Sequence, residues 1–67
     1  MGRRLDVDKL VGSAEIAQRL GVKNPEQVHQ WRTRHPDFPQ PVTRLRIGLI
    51  WYWPEVERWA KATGRLR

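Results

Sequence analysis

Within QVHQWRTR, Gln27 to Arg34, eight residues carry two amides, an imidazole, a hydroxyl and two guanidiniums. These groups donate and accept hydrogen bonds in the fixed, often bidentate geometries that base edges and phosphates require. Glutamine matches adenine, arginine matches guanine, and hydroxyls serve either. Gln27, Gln30, Thr33 and Arg34 are therefore candidates for contact with bases or adjacent phosphates, with His29 and Arg32 in support. Arg44 and Arg46, further on, are candidates for the flanking backbone or the minor groove. Plainer readings stand beside these: a solvated helix face for the first group, and strand-edge charges that discourage aggregation for the second. Other chemistries find little material. His29 and His35 are the only histidines and there is no cysteine, so no metal-binding pattern forms. Ser13 is the sole serine, and no acid pair, phosphate-binding glycine loop or nucleophile constellation stands out. The expectation is a non-enzymatic protein without a cofactor.

The elements that would position these residues follow from local signals. Asn24-Pro25-Glu26-Gln27 predicts a helix start, with Asn24 as N-cap, Pro25 at N1 and Gln27 at N3 of a capping box. That helix buries Val28 and Trp31 and turns Glu26, Gln30 and Thr33 outward. It ends by His35, because Pro36 disfavours helical geometry at the residue before it. Upstream, Ser13 is the expected N-cap of a short helix carrying Ile16, Ala17 and Leu20 on one face, which Gly21 closes. Three residues separate Leu20 from Asn24, the spacing of a helix-turn-helix. Pro36, Pro39 and Pro41 stiffen the exit, and Phe38 is expected to plug it into the core.

The next stretch, VTRLRIGLIWYW, is rich in β-branched and aromatic residues and predicts a hairpin turning near Ile47-Gly48. Leu45 and Ile50 are expected to pair across it, with Trp51 inward. Pro54 then predicts the N1 position of a last helix that buries Val56, Trp59 and Ala60 and stops at Gly64. Residues 1–9 are expected to form a loose arm, Leu10-Val11 an extended piece docking on the body, residues 10–64 the domain, and residues 65–67 a basic tail.

The chain has 67 residues, enough for one small core. Four tryptophans supply large buried area per residue. Thirteen Lys and Arg against seven Asp and Glu leave a net charge of +6, a balance suited to a polyanion. The absence of cysteine fits a reducing cytosol. No apolar run is long enough for a signal peptide or a membrane span, and the opening Met1 to Asp6 does not fit an acylation signal. A cytoplasmic, nucleoid-associated protein without membrane contact is expected.

Five stretches in order, LVGSAEIAQRLGV, VHQW, HPDFPQPV, GLIWYW and PEVERWA, resemble the small winged helix-turn-helix regulators of the MerR superfamily, of the AlpA and excisionase type. The likeness spans about Leu10 to Ala62. It rests on Ala14 to Val22, Val28 and Trp31, Asp37 to Pro41, Trp51, and Val56 and Trp59. It implies a mainly α fold with a small β-hairpin wing. It also implies sequence-specific binding of duplex DNA without catalysis, as a transcription regulator or as the excisionase partner of a recombinase. Two features depart from the family's pattern. Trp53-Pro54 stands where a serine-type cap is common, and the wing tip carries the apolar Ile47 and Leu49. Those two residues are expected to touch a neighbouring copy on DNA, in a cooperative head-to-tail arrangement, with a wedge between base steps as the competing possibility. The rival from another class is a protein-interaction adaptor whose aromatic and apolar wing surface binds a recombinase or transcription protein.

Overall fold

A computed structural model describes residues 5–66; the expectations for residues 1–4 of the arm and for Arg67 lie outside the described residues. The elements follow in the order β1 (Leu10–Gly12), α1 (Ser13–Leu20), α2 (Glu26–Arg34), β2 (Thr43–Leu45), β3 (Gly48–Tyr52) and α3 (Trp53–Ala62). The strands form one antiparallel sheet in the order β1-β3-β2. The fold is thus a mixed one of three α-helices and a three-stranded sheet. The docking of Leu10-Val11 is real and adds a third strand, with Leu10 opposite Tyr52 and Val11 opposite Trp51. Ahead of β1 the expected loose arm contains a 3-10 turn, Val7–Lys9, where the Asp6 carboxylate accepts from Asp8 N–H at 3.0 Å.

Local chemistry explains most boundaries. Gly21 has φ 75°, the left-handed geometry of a helix stop, and Val22 N–H reaches back to Ala17 O at 3.0 Å. The Asn24 side chain accepts from Glu26 N–H at 3.0 Å, while Gln27 N–H goes to the Asn24 carbonyl at 3.0 Å. The N-cap position falls on Pro25, not on Asn24 as expected; Asn24, two residues ahead of Glu26, still supplies a side-chain cap, which meets Glu26 rather than Gln27. His35 is extended, with φ −114° and ψ 103°, as the following proline demands. The other two helix starts differ from expectation as well. Gly12, not Ser13, is the N-cap of α1; Ser13 is already helical, and no side chain caps the turn. Helix α3 begins at Trp53, so Pro54 sits second, still within the turn where its missing N–H has no partner to lose.

The hairpin departs most. Leu45 lies opposite Gly48 and Ile50 opposite Thr43, so the expected Leu45–Ile50 pair does not form. The two residues between the strands are Arg46 and Ile47. No described non-glycine residue has a positive φ, which excludes the mirror-image two-residue turns; the unusual backbone falls on Gly48, at φ 132°. An added Cβ at Gly48 would meet nothing within 4 Å, so the glycine serves conformation, not space.

The core is aromatic. Phe38 stands 4.8 Å from Trp59, 6.0 Å from Trp51 and 6.4 Å from Trp31, ring centre to ring centre, while Trp31 and Trp59 are 5.6 Å apart. Such pairs contribute about 0.5–1.5 kcal/mol each beyond area burial. Val11, Ile16, Ala17, Val28, Val56 and Ala60 complete the cluster. Trp51 also clips the proline-rich exit, donating from Nε1 to the Pro39 carbonyl at 3.0 Å. The expected basic tail packs down: Arg65 lies 4.6 Å over Trp59 and 5.3 Å over Trp31, and Leu66 is half-buried against the core. Among the described residues no helix is long and apolar enough to cross a membrane.

Candidate nucleic-acid interface

Helix α2 is held by Val28, fully buried, and Trp31, nearly so. A helix fixed by two side chains at i and i+3 has its opposite face settled by geometry. On that face Glu26, His29, Gln30, Thr33 and Arg34 line a shallow cleft of about 210 Å³. Four of the expected residues, His29, Gln30, Thr33 and Arg34, are thus brought together. Gln27 is half-buried beside the cleft and Arg32 is exposed outside it. Thr33, exposed, donates its hydroxyl proton to the His29 carbonyl at 3.1 Å.

His29 holds a double position. Its ring lies 6.0 Å from Trp51, tilted by 58°, which ties the helix face to the sheet. It also borders a second groove of about 320 Å³, between the start of α1 at Ser13 and Ala14 and hairpin residues Ile47 to Ile50. His29 thus lines both concavities, the one on α2 and the one beside the hairpin. Arg44 on β2 and Arg46 in the turn are both exposed.

The charge distribution favours the same face. No Asp or Glu occurs from Gln27 to Pro36, nor from Phe38 to Pro54. The acid in the α2 cleft is Glu26, which helical spacing turns outward but which the candidate set from the sequence does not include. Its carboxylate is an acceptor suited to a cytosine amino group and unsuited to phosphate. A larger cavity, about 520 Å³, lies elsewhere, between α3 and the proline-rich exit. Asp37 and Glu55 line it beside Arg58 and Trp59, a poor electrostatic match for a polyanion. No group of three or more potential metal ligands exists among the described residues. Searched against family models, curated proteins and solved structures, the chain matches none.

Proposed function

We propose that this chain is a winged helix-turn-helix protein that binds duplex DNA sequence-specifically, as a transcription regulator or an excisionase-type recombination factor. The observation that carries the reading is the α2 face. Amide, hydroxyl, imidazole and guanidinium groups converge on one cleft, in a segment without carboxylates beyond its first residue. A helix presented this way suits a major groove about 12 Å wide. Gln30 and Arg34 supply bidentate base contacts, Thr33 a methyl or hydroxyl contact, and Gln27, His29 and Arg32 contact adjacent phosphates or base edges. Arg44 and Arg46 neutralise flanking phosphates beside the hairpin wing. The tight turn between α1 and α2, the hairpin that follows, and the resemblance to AlpA and excisionase-type regulators all support this assignment.

A module this small contacts limited DNA surface, so useful affinity calls for two or more copies on adjacent sites. A recombinase is the natural protein partner of the excisionase alternative. The setting is the cytoplasm, at the nucleoid, and the reading needs no cofactor and no catalytic step. The rival adaptor reading draws on the exposure of Leu45 and Ile47; partner capture that survives nuclease treatment, without any duplex binding, would favour it.

The test is selection of duplexes from a random pool, followed by salt titration of the enriched sequence. Affinity should fall linearly with the logarithm of salt concentration. Replacing Arg44 and Arg46 together by alanine should weaken specific and random duplexes alike and flatten the slope by up to about two units, roughly 0.9 per phosphate no longer neutralised. No enrichment, or a slope unchanged by the double replacement, counts against the reading or against the wing's part in it, respectively.

A further inference from the structure

The hairpin tip carries an apolar residue where a phosphate-binding wing has no use for one. Ile47 is 87% exposed and Leu45 53% exposed, the most exposed large hydrophobic side chains on the hairpin. Leu49, expected to share the tip, is instead half-buried against the core. The apolar tip is therefore Ile47 with Leu45 behind it, flanked by the exposed Arg44 and Arg46.

Building on the DNA-binding reading, we propose that Ile47 is a minor-groove wedge: the tip enters between two base pairs flanking the major-groove site, and Ile47 partly unstacks the step and kinks the duplex. Three observations favour DNA over protein as the occupant. The first is area. Two side chains fall far short of the ~800 Å² per partner that a stable protein interface buries. The second is charge. Ile47 directly follows Arg46, and Leu45 lies between Arg44 and Arg46, in a hairpin with no carboxylate, a surface complementary to a polyanion. The third is shape. The two-residue turn, Arg46-Ile47, closed by Gly48 at φ 132°, presents one branched apolar side chain beside one arginine at its apex. A hairpin apex suits a minor groove about 6 Å wide that a helix cannot enter. Isoleucine is among the residues that architectural proteins insert between base steps. The arginines would anchor the tip on the flanking phosphates while the wedge enters, preferring a flexible pyrimidine–purine step.

The experiment uses the full chain and the duplex it enriches from a random pool. End-attached fluorophores report bending, and 2-aminopurine placed at successive flanking positions reports unstacking. The parent should raise 2-aminopurine fluorescence at one flanking step and bring the ends closer. Ile47→Ser, at an exposed position away from the core, should melt like the parent and lose both signals. Its affinity for the duplex should stay within about tenfold, because the variant forgoes the apolar insertion but also spares the duplex its unstacking. Ile47→Leu, which keeps an apolar wedge, should retain both signals. A parent that binds but neither bends nor unstacks the duplex overturns the wedge and leaves the DNA-binding reading standing. Signals unchanged in Ile47→Ser overturn it too, as does an Ile47→Ser defect confined to cooperative binding on two-site duplexes, which would assign the tip to a neighbouring copy. A parent that binds no duplex at low salt sinks both proposals together.

Discussion

Helix α2 buries Val28 and Trp31; helix α3 buries Val56 and Trp59. The spacing is the same, and the two tryptophans meet at 5.6 Å in the core. The outward faces differ. Helix α2 shows amides, a hydroxyl, an imidazole and arginines around a cleft. Helix α3 carries Glu55, Glu57, Arg58 and Lys61, with Glu57 and Lys61 paired at 3.7 Å. The inner pair says how each helix packs, whereas the outer face says what it can meet. An alternating-charge face with an i,i+4 pair satisfies itself in water. A face of hydrogen-bonding groups with an excess of arginine leaves its capacity open for a partner.

The largest effect should come from breaking what the helices share. Trp59→Ala removes the ring that contacts Trp31, His35, Phe38 and Arg65. It should cost about 3–5 kcal/mol, much of the stability of a domain this size. Trp59→Phe should cost distinctly less, since it keeps a ring and removes an indole N–H that is buried without a partner among the described residues. Circular dichroism melting decides, and an alanine variant that melts with the parent would refute this packing of the core.

A smaller effect separates the outer faces. Gln30→Ala on α2 should leave melting nearly intact and lower affinity for the selected duplex by about 1–3 kcal/mol, with less loss on random duplex. Arg58→Ala, on the exposed side of α3, should leave the ratio of specific to random binding unchanged. If the two variants behave alike in competition binding, the contrast between the helices has no functional content.

The smallest effect belongs to the α3 ion pair. Glu57 and Lys61 are 40% and 55% exposed, so solvent and salt screen their attraction. Glu57→Gln should change stability by no more than about 0.5 kcal/mol, a difference that shrinks further in added salt. A loss well above that in a urea titration would show that the outer face of α3 contributes to the fold.

What the sequence determined alone was set within a few residues of chain. Gly21 and Gly64 stop helices because their left-handed backbone costs nothing without a Cβ. Asn24 caps α2 because its carbonyl side chain lies within reach of Glu26 N–H. Pro36 ends the helix through a clash with its neighbour. The spacing of Val28 with Trp31 and of Val56 with Trp59 selects the buried faces, and with them the outward position of Gln30, Thr33 and Arg34. Tertiary structure decided what depends on partners far along the chain. The placing of the hairpin was one such case: Ile50 faces Thr43 on one side of β3 and Gly12 of distant β1 on the other, not the expected Leu45. The pairing of β1 with β3 joins Leu10 to Tyr52, residues that no local pattern connects. His29 was placed against Trp51, and Arg65 over two indoles, by the aromatic core itself. Turn and cap energies act through neighbouring atoms and leave local marks in a sequence. Strand partners and ring contacts are chosen by burial of the whole chain.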